Sequence, residues 1–543
     1  MLDNKSTNKI ALIIIILQLI VVFSFAFQKQ GFKNGEISSF ILANSYTEGG
    51  SSFSNDLYDK WIESEYFSKL ITVSEGARFS YSSVFINQSN DVHPPIYYVI
   101  LHTICSLFPE NFSKWYGLSI NIFFFILCNL FIFLISKKLF LNHSLNLLPS
   151  IIWGFSAGAI STAIFIRMYM MLTSLILIFV YFHFVLIEKE ESNKTLFCIY
   201  IITLLGFMTH YYFLIFTLIW AFHYFPFWII QKNWNMLINY IETLFAALLI
   251  GFFIFPSSFN HILLGYRGEE AIENIVNISN FSERFNIMFS ILSTQQFYGL
   301  LSRLIIILTC LFLVRIVRPF IIRLLDLFKG SNNLHALNKP ILPFHLIDDF
   351  YVENIRILSL TISVVATFIV ITLTSPYPSS RYIFFIYPFV SVLAVFCIYQ
   401  ICKIYIKNNK IIILGILLLF TIITTFSYKN NQVEHLYVGY DEIISNTQNY
   451  KNYNCIYVTN NLWKAKSNIF ELLEFKRTYF LKNNNISNIS ELLKDINNDK
   501  GIILYIEKIQ NQEFVLKNFL LLSDFNNYNF LYSTRYSMSY FIY

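Results

Sequence analysis

Asp91-Val92-His93-Pro94-Pro95-Ile96-Tyr97-Tyr98 is the stretch on which the reading of this chain turns. It closes a polar segment of roughly 65 residues that follows the first apolar run, Ile10 to Phe27. Pro94 and Pro95 lack N–H donors and fix φ, so they suit the entry of a helix. The apolar run after them, Ile96 to Phe108, is too short to span a bilayer and carries His102. It reads as an interfacial helix on the outer leaflet, holding Asp91 and His93 above the lipid. Were it to cross instead, Lys137-Lys138 would change sides and the charge pattern along the chain would break.

That pattern belongs to a polytopic membrane protein. The 543 residues are 55% hydrophobic and 13% charged, against about 25% charged in soluble domains. Mean hydropathy is +0.54. The formal charge of +6 is spread out, and no compact basic patch suggests nucleic acid. The seven cysteines form neither a disulfide framework nor a metal-ligand spacing. The run Ile10–Phe27 lacks a small-residue cleavage site and reads as a retained anchor.

Apolar runs predict about 11 transmembrane helices, near 10–27, 116–136, 146–166, 168–187, 195–212, 213–231, 236–256, 300–318, 356–375, 382–403 and 410–427. Lys137-Lys138, Lys232, the cluster Arg315, Arg318, Arg323 and Lys329, and the group Lys403, Lys407 and Lys410 share the side of the N-terminus. Residues 28–92 carry eight acids and five bases, as suits an external loop. Glu188–Glu191 dissents mildly, since acids weigh little in this rule. The orientation expected is N-terminus cytoplasmic and C-terminus extracytoplasmic. Residues 1–427 form the membrane domain, with a first external loop over 28–115. From 428 to 543 the runs shorten and become β-like at Cys455–Thr459, Gly501–Glu507 and Tyr528–Tyr543, with helical patterns at Ile469–Phe475 and Ile489–Ile496. This predicts a small extracytoplasmic α/β domain.

Ionisable groups recur at the expected outer ends of helices. Glu36 follows the first span, Arg167 lies in Phe165-Ile166-Arg167-Met168-Tyr169, His210 in Thr209-His210-Tyr211-Tyr212, and Arg381 in Ser379-Ser380-Arg381-Tyr382. Such groups near lipid default to a functional hypothesis. Arginine suits phosphate through its planar fork of donors. Each also has a plainer role: Arg167 as a snorkelling anchor, His210 as a satisfied bundle histidine, Glu36 as a solvated loop acid.

With these motifs in order over roughly residues 10–400, the chain resembles the GT-C glycosyltransferase superfamily. Within it, the chain is similar to the dolichyl-phosphate-mannose protein mannosyltransferases and the bacterial lipid A aminoarabinose transferases. The resemblance rests on Gly35-Glu36, His93-Pro94-Pro95-Ile96-Tyr97-Tyr98, Arg167-Met168-Tyr169, Thr209-His210-Tyr211-Tyr212, and Arg381-Tyr382 followed by Pro388. It implies a GT-C fold and a polyprenyl-phosphate-linked sugar donor. Transfer would proceed with inversion at the outer face, to a cell-wall polymer, glycolipid or protein. Substrate binding would fall to His93, Arg167, Tyr169, His210, Tyr211, Arg381 and Tyr382. Members of the family carry an Asp-Glu pair where this chain has Gly35-Glu36. That departure leaves the base to Glu36 or Asp91, or implies different acceptor chemistry or an inactive protein. No cofactor is implied with certainty, and a divalent metal is left open, with Asp91-x-His93 the tightest ligand spacing. Two rivals stand beside the enzyme. One is a transporter or flippase of a lipid-linked or anionic solute, for which the sequence shows neither broken helices nor an internal repeat. The other is a catalytically inactive scaffold, which would tolerate neutralised acids.

Overall fold

The computed structural model describes residues 3–46, 53–188, 193–328, 346–483, 485, 492, 501–508, 511–523 and 525–543. Lys329, residues 189–191 and, apart from Leu492, the expected helix 489–496 lie outside the described residues. The chain forms two compact units: residues 1–23, 121–163 and 168–434 make one, and residues 24–120, 164–167 and 435–543 the other.

The first unit is a multi-pass membrane structure. Among the described residues eight helices are long and apolar enough to cross a bilayer: Asn4–Gln28, Lys114–Leu139, Tyr169–Glu188, Tyr212–Ile230, Trp234–Ile254, Asn354–Thr374, Ser380–Tyr405 and Asn409–Lys429. Large apolar side chains stay exposed along one side of these helices. On Trp234–Ile254 they include Ile238, Ile241, Phe245, Leu249 and Phe253, three to four residues apart. A stripe with that spacing is one helix face, and exposed to water it would oppose folding at about 25 cal/mol per Å². It suits lipid. Of the other expected spans, 195–212 is a helix of 15 residues, Asn193–Phe207, about 22 Å at 1.5 Å per residue and so short of the ~30 Å core.

The remaining two expected spans fall in bent helix pairs. Leu145–Gly154 and Ala157–Ile164 meet at 57°, and Phe281–Phe297 and Leu301–Val314 at 86°, so up to ten spans result if each pair counts once. The expected span 146–166 is thus bent in its middle, whereas 300–318 runs unbroken within Leu301–Phe328 and the second bend falls just ahead of it; the causes are local. Ser156 Oγ accepts the Ala159 N–H at 3.1 Å, starting a new helix where the old one ends. At the second break Tyr298 and Gly299 take φ of 53° and 76°, the left-handed region that terminates helices. The two breaks are tied together, since Gln296 Nε2 donates to Ser156 Oγ at 3.0 Å. Gly158 permits this approach, because a Cβ there would lie 2.5 Å from Gln296 Nε2 and 2.7 Å from the Tyr387 ring.

The second unit is built on a six-stranded sheet of order β1-β3-β2-β4-β6-β5. Its strands are β1 (Trp61–Glu63), β2 (Cys455–Val458), β3 (Arg477–Leu481), β4 (Ile502–Glu507), β5 (Tyr528–Ser533) and β6 (Ser537–Ile542). β3, β2 and β4 run parallel at the centre, while β1 and β6 flank them antiparallel. β2 and β4 are buried throughout, as continuous apolar runs require when both faces of a strand are covered. The helix Gln512–Leu522 packs Val515, Leu516 and Phe519 onto this core. The first loop supplies β1, with Trp61 paired to Tyr479. It also supplies four helices, Asn34–Asn44, Ser64–Ile71, Tyr81–Ser89 and Ile96–Leu107. The last begins directly after Pro95, at the residue expected from the proline pair.

Candidate functional site

In the second unit Glu36 is the third residue of the helix Asn34–Asn44 and is fully buried. Its Oε2 accepts the Lys33 backbone N–H at 2.8 Å, and its Oε1 accepts the Ile166 N–H at 2.9 Å. Lys29 Nζ lies 2.9 Å from the same Oε1 and is equally buried. Burial pulls the Lys29 ammonium below the ordinary lysine value, and the Glu36 charge works against that shift. A carboxylate with both oxygens engaged by two amides and an ammonium organises its surroundings; here it binds the first loop to the segment 164–167.

Arg167, within that segment, is turned onto the same helix. Its Nη1 donates to the Gly35 carbonyl at 3.0 Å and reaches Ser39 Oγ at 3.4 Å. A Cβ on Gly35 would sit 3.8 Å from Arg167 Nε, an ordinary contact. The position occupied by glycine here is thus one from which a longer side chain would reach the guanidinium.

Asp91 is half-buried, at the end of the loop before the proline pair. Its charge acts on Lys466, which in turn feels Arg167. Lys466 Nζ donates to Ser38 Oγ at 2.7 Å. Burial pushes the Lys466 ammonium down to about 8, Asp91 pulls it back up, and Arg167 lowers it further. Asp91, Arg167, Lys466 and Ser38 therefore form one polar centre. Lys466 went unnoticed in the sequence, where nothing sets it apart from the neighbouring Lys464. His93 is half-buried beside Asp91 along the chain, and Tyr97 is buried where it feels the charges of Arg167 and Glu36.

In the first unit a second centre forms around Arg381, at the head of the span Ser380–Tyr405. Its Nη2 donates to Tyr382 Oη at 2.6 Å and also to Tyr377 Oη. The guanidinium carbon lies 4.7 Å from the Tyr382 ring centroid and 5.2 Å from that of Tyr377. Tyr212 packs edge-on to Tyr382 at 5.9 Å and against His210 at 4.7 Å, and His210 packs on Tyr169 at 5.5 Å. His210 Nδ1 accepts the Tyr212 N–H at 3.1 Å, which leaves the proton of a neutral imidazole on Nε2. Arg267, paired with Glu270 at 2.6 Å, brings a second guanidinium close enough to act on Tyr382. Tyr169, His210, Arg381 and Tyr382 thus come together. Tyr211 turns instead to His261 Nδ1 at 2.8 Å.

Tyr212, from the Thr209-His210-Tyr211-Tyr212 motif, and Tyr377, from the Pro376-Tyr377-Pro378 turn, join this centre beside the expected residues, while nothing in the sequence marks Arg267. Nor does anything there mark Glu434, which accepts from Ser380 Oγ at 2.8 Å and Gln295 Nε2 at 2.9 Å. Among the described residues no group of three His, Cys, Asp or Glu side chains could hold a metal ion.

No family model and no curated protein matches this sequence. Among solved structures the chain is similar to ArnT from Cupriavidus metallidurans bound to undecaprenyl phosphate, with a TM-score of 0.49 and 10% identity over 97% of each chain. The apo state of the same protein matches with a TM-score of 0.47 at the same identity and coverage. Both likenesses are distant.

Proposed function

We propose that this chain is a membrane glycosyltransferase of GT-C type. It moves a sugar from a polyprenyl-phosphate-linked donor to an acceptor on the outer face, whether a cell-wall polymer, a glycolipid or a protein. The observation that carries the reading is the Arg381 centre: a guanidinium fixed by two tyrosines at the head of an apolar span, with Arg267 near. A phosphate on a lipid tail needs such a cation at that depth, and the arginine fork gives it charge-assisted hydrogen bonds. The ordered sequence motifs support the same reading.

In this mechanism the acceptor hydroxyl oxygen attacks the anomeric carbon. The new C–O bond forms as the bond to the phosphate oxygen breaks, with inversion, and the electron pair leaves with the polyprenyl phosphate. Arg381 stabilises the negative charge growing there. A carboxylate takes the acceptor proton, the role that the sequence motifs leave to Asp91 or Glu36. Asp91 is half-buried, whereas Glu36 is sealed in its ion pair, which favours Asp91. The test is to supply purified protein in nanodiscs with labelled polyprenyl-phosphate sugars. Turnover should vanish in Asp91→Asn with donor binding kept, and binding should drop in Arg381→Ala. Absence of both binding and turnover with every donor would sink the proposal.

A second reading, movement of an anionic lipid-linked solute, gains support from the two broken helices. It predicts solute transfer across sealed vesicles and no new glycosidic bond in nanodiscs.

A further inference from the structure

Two serine hydroxyls and a glutamine converge on Glu434, in the first unit and outside every sequence motif above. Its Oε2 accepts from Ser380 Oγ at 2.8 Å and its Oε1 from Gln295 Nε2 at 2.9 Å. Its own N–H donates to Ser161 Oγ at 2.8 Å, and that hydroxyl reaches Gln295 Oε1 at 3.4 Å. Ser161, Gln295 and Ser380 are all buried. Two of the three come from the bent helix pairs. Ser161 lies on Ala157–Ile164, past the first bend, and Gln295 in the last turn of Phe281–Phe297, just ahead of the second. Ser380 opens the short helix Ser380–Ile383 and stands next to Arg381. At that head the Ser379 side chain makes no capping hydrogen bond among the described residues. The side chain that anchors it is instead Ser380, through its bond to the Glu434 carboxylate. A bond to a carboxylate is short and about twice as strong as a neutral one.

We infer that Glu434 is a positioning residue for the donor site: through Ser380 it sets where the Arg381 guanidinium stands, and the two bends hold Glu434 in turn. The inference deepens the glycosyltransferase reading and rests on it for the phosphate that Arg381 receives. Both carboxylate oxygens are engaged, so Glu434 acts through Ser380 and not as a ligand or a base. The guanidinium fork gives directed bonds only when its base is fixed, and a site whose supporting residues are loose loses that direction. The bends thereby acquire a task in the donor site, since they bring Ser161 and Gln295 to the one carboxylate that also holds the Arg381 head.

The experiment is calorimetric titration of the full chain in nanodiscs with undecaprenyl phosphate, beside mass mapping of Arg381 modification by phenylglyoxal without ligand. Ser380→Ala and Glu434→Ala should each weaken binding about 10-fold, the worth of one bond to a charged group. Because the two residues share one bond, the double variant should bind no more weakly than Glu434→Ala alone. Glu434→Gln still accepts from Ser380 and should retain most of the affinity. Phenylglyoxal should modify Arg381 faster in both alanine variants than in the wild type, and at the wild-type rate in Glu434→Gln. Losses that add in the double variant, or an Arg381 rate indifferent to Glu434→Ala, would overturn the inference. A wild type that does not bind undecaprenyl phosphate would overturn the donor reading instead, and the Arg381 rate would still decide the positioning.

Discussion

Lys29 Nζ and Glu36 Oε1 stand 2.9 Å apart, and neither side chain has any exposure to solvent. A buried pair of this kind contributes little by existing, because desolvation offsets the attraction, but removing one partner strands a charge. Glu36→Gln and Lys29→Met should each destabilise the protein by about 3–5 kcal/mol. The double variant Lys29→Met/Glu36→Gln, which keeps an acceptor for the Lys33 and Ile166 amides, should cost less than the two single losses summed. Thermal unfolding of the three variants checks this, and additive losses would show that the pair is not coupled.

Lys466 gives the polar centre a signature in alkali. Its ammonium is pushed down to about 8 by burial, so above that pH it loses its proton and Asp91 loses a cationic neighbour. Turnover should fall on the alkaline side with a midpoint near 8 in the wild type. In Lys466→Met the limb should disappear and the rate should be lower at all pH values. A pH–rate profile for labelled sugar transfer reads both.

Glu471 ties the stability of the sheet unit to pH in the opposite manner from an ordinary salt-bridged acid. Burial raises its carboxyl from the usual 4.5 to about 7, against hydrogen bonds from Tyr440 and Asn468. Between those values the folded protein keeps the proton that the unfolded chain has released. Stability therefore declines as pH rises from about 4.5 to about 7, by roughly 3 kcal/mol in all, and levels off beyond. Glu471→Gln should flatten the curve. Unfolding followed by tryptophan fluorescence at pH 5 and 7.5 decides.

Arg381→Lys keeps the charge and loses the fork that holds Tyr377 and Tyr382 together. Donor affinity should fall about 10- to 100-fold, the equivalent of one charge-assisted hydrogen bond of ~1.5–3 kcal/mol. Tyr212→Phe should weaken donor binding more than Tyr211→Phe, because Tyr211 is committed to His261. Equal effects would remove the basis for distinguishing the two.

The membrane helices were legible because apolar runs of span length have few other uses, and eight of the 11 expected runs correspond to single helices long enough to cross. The breaks were not legible: Phe155-Ser156 and Tyr298-Gly299 carry no proline, and their bends depend on a capping hydroxyl and on left-handed backbone. Strands β2 and β4 announced themselves as unbroken apolar runs. β1 and β3 did not, since Trp61-Ile62-Glu63 and Arg477-Thr478-Tyr479 look like loop until they pair. Within the candidate centres, residues at helix ends were visible as charges out of place. Lys466, Arg267 and Glu434 were invisible because only the folded chain brings them to their partners.

The hydrogen bond from Lys466 to Ser38 joins residues 428 positions apart, and Phe67, fully buried, stacks edge-on to Phe480 across a comparable interval. At a ribosomal pace of about 5–20 residues per second, roughly 20–90 s separate the emergence of the two ends. Through that wait the early loop carries bare phenylalanine surface and an edge with no strand to pair with. Nascent chains stalled before residue 477 should therefore engage chaperones or proteases, and a gene cut ahead of the last strands should yield an early segment that does not persist on its own.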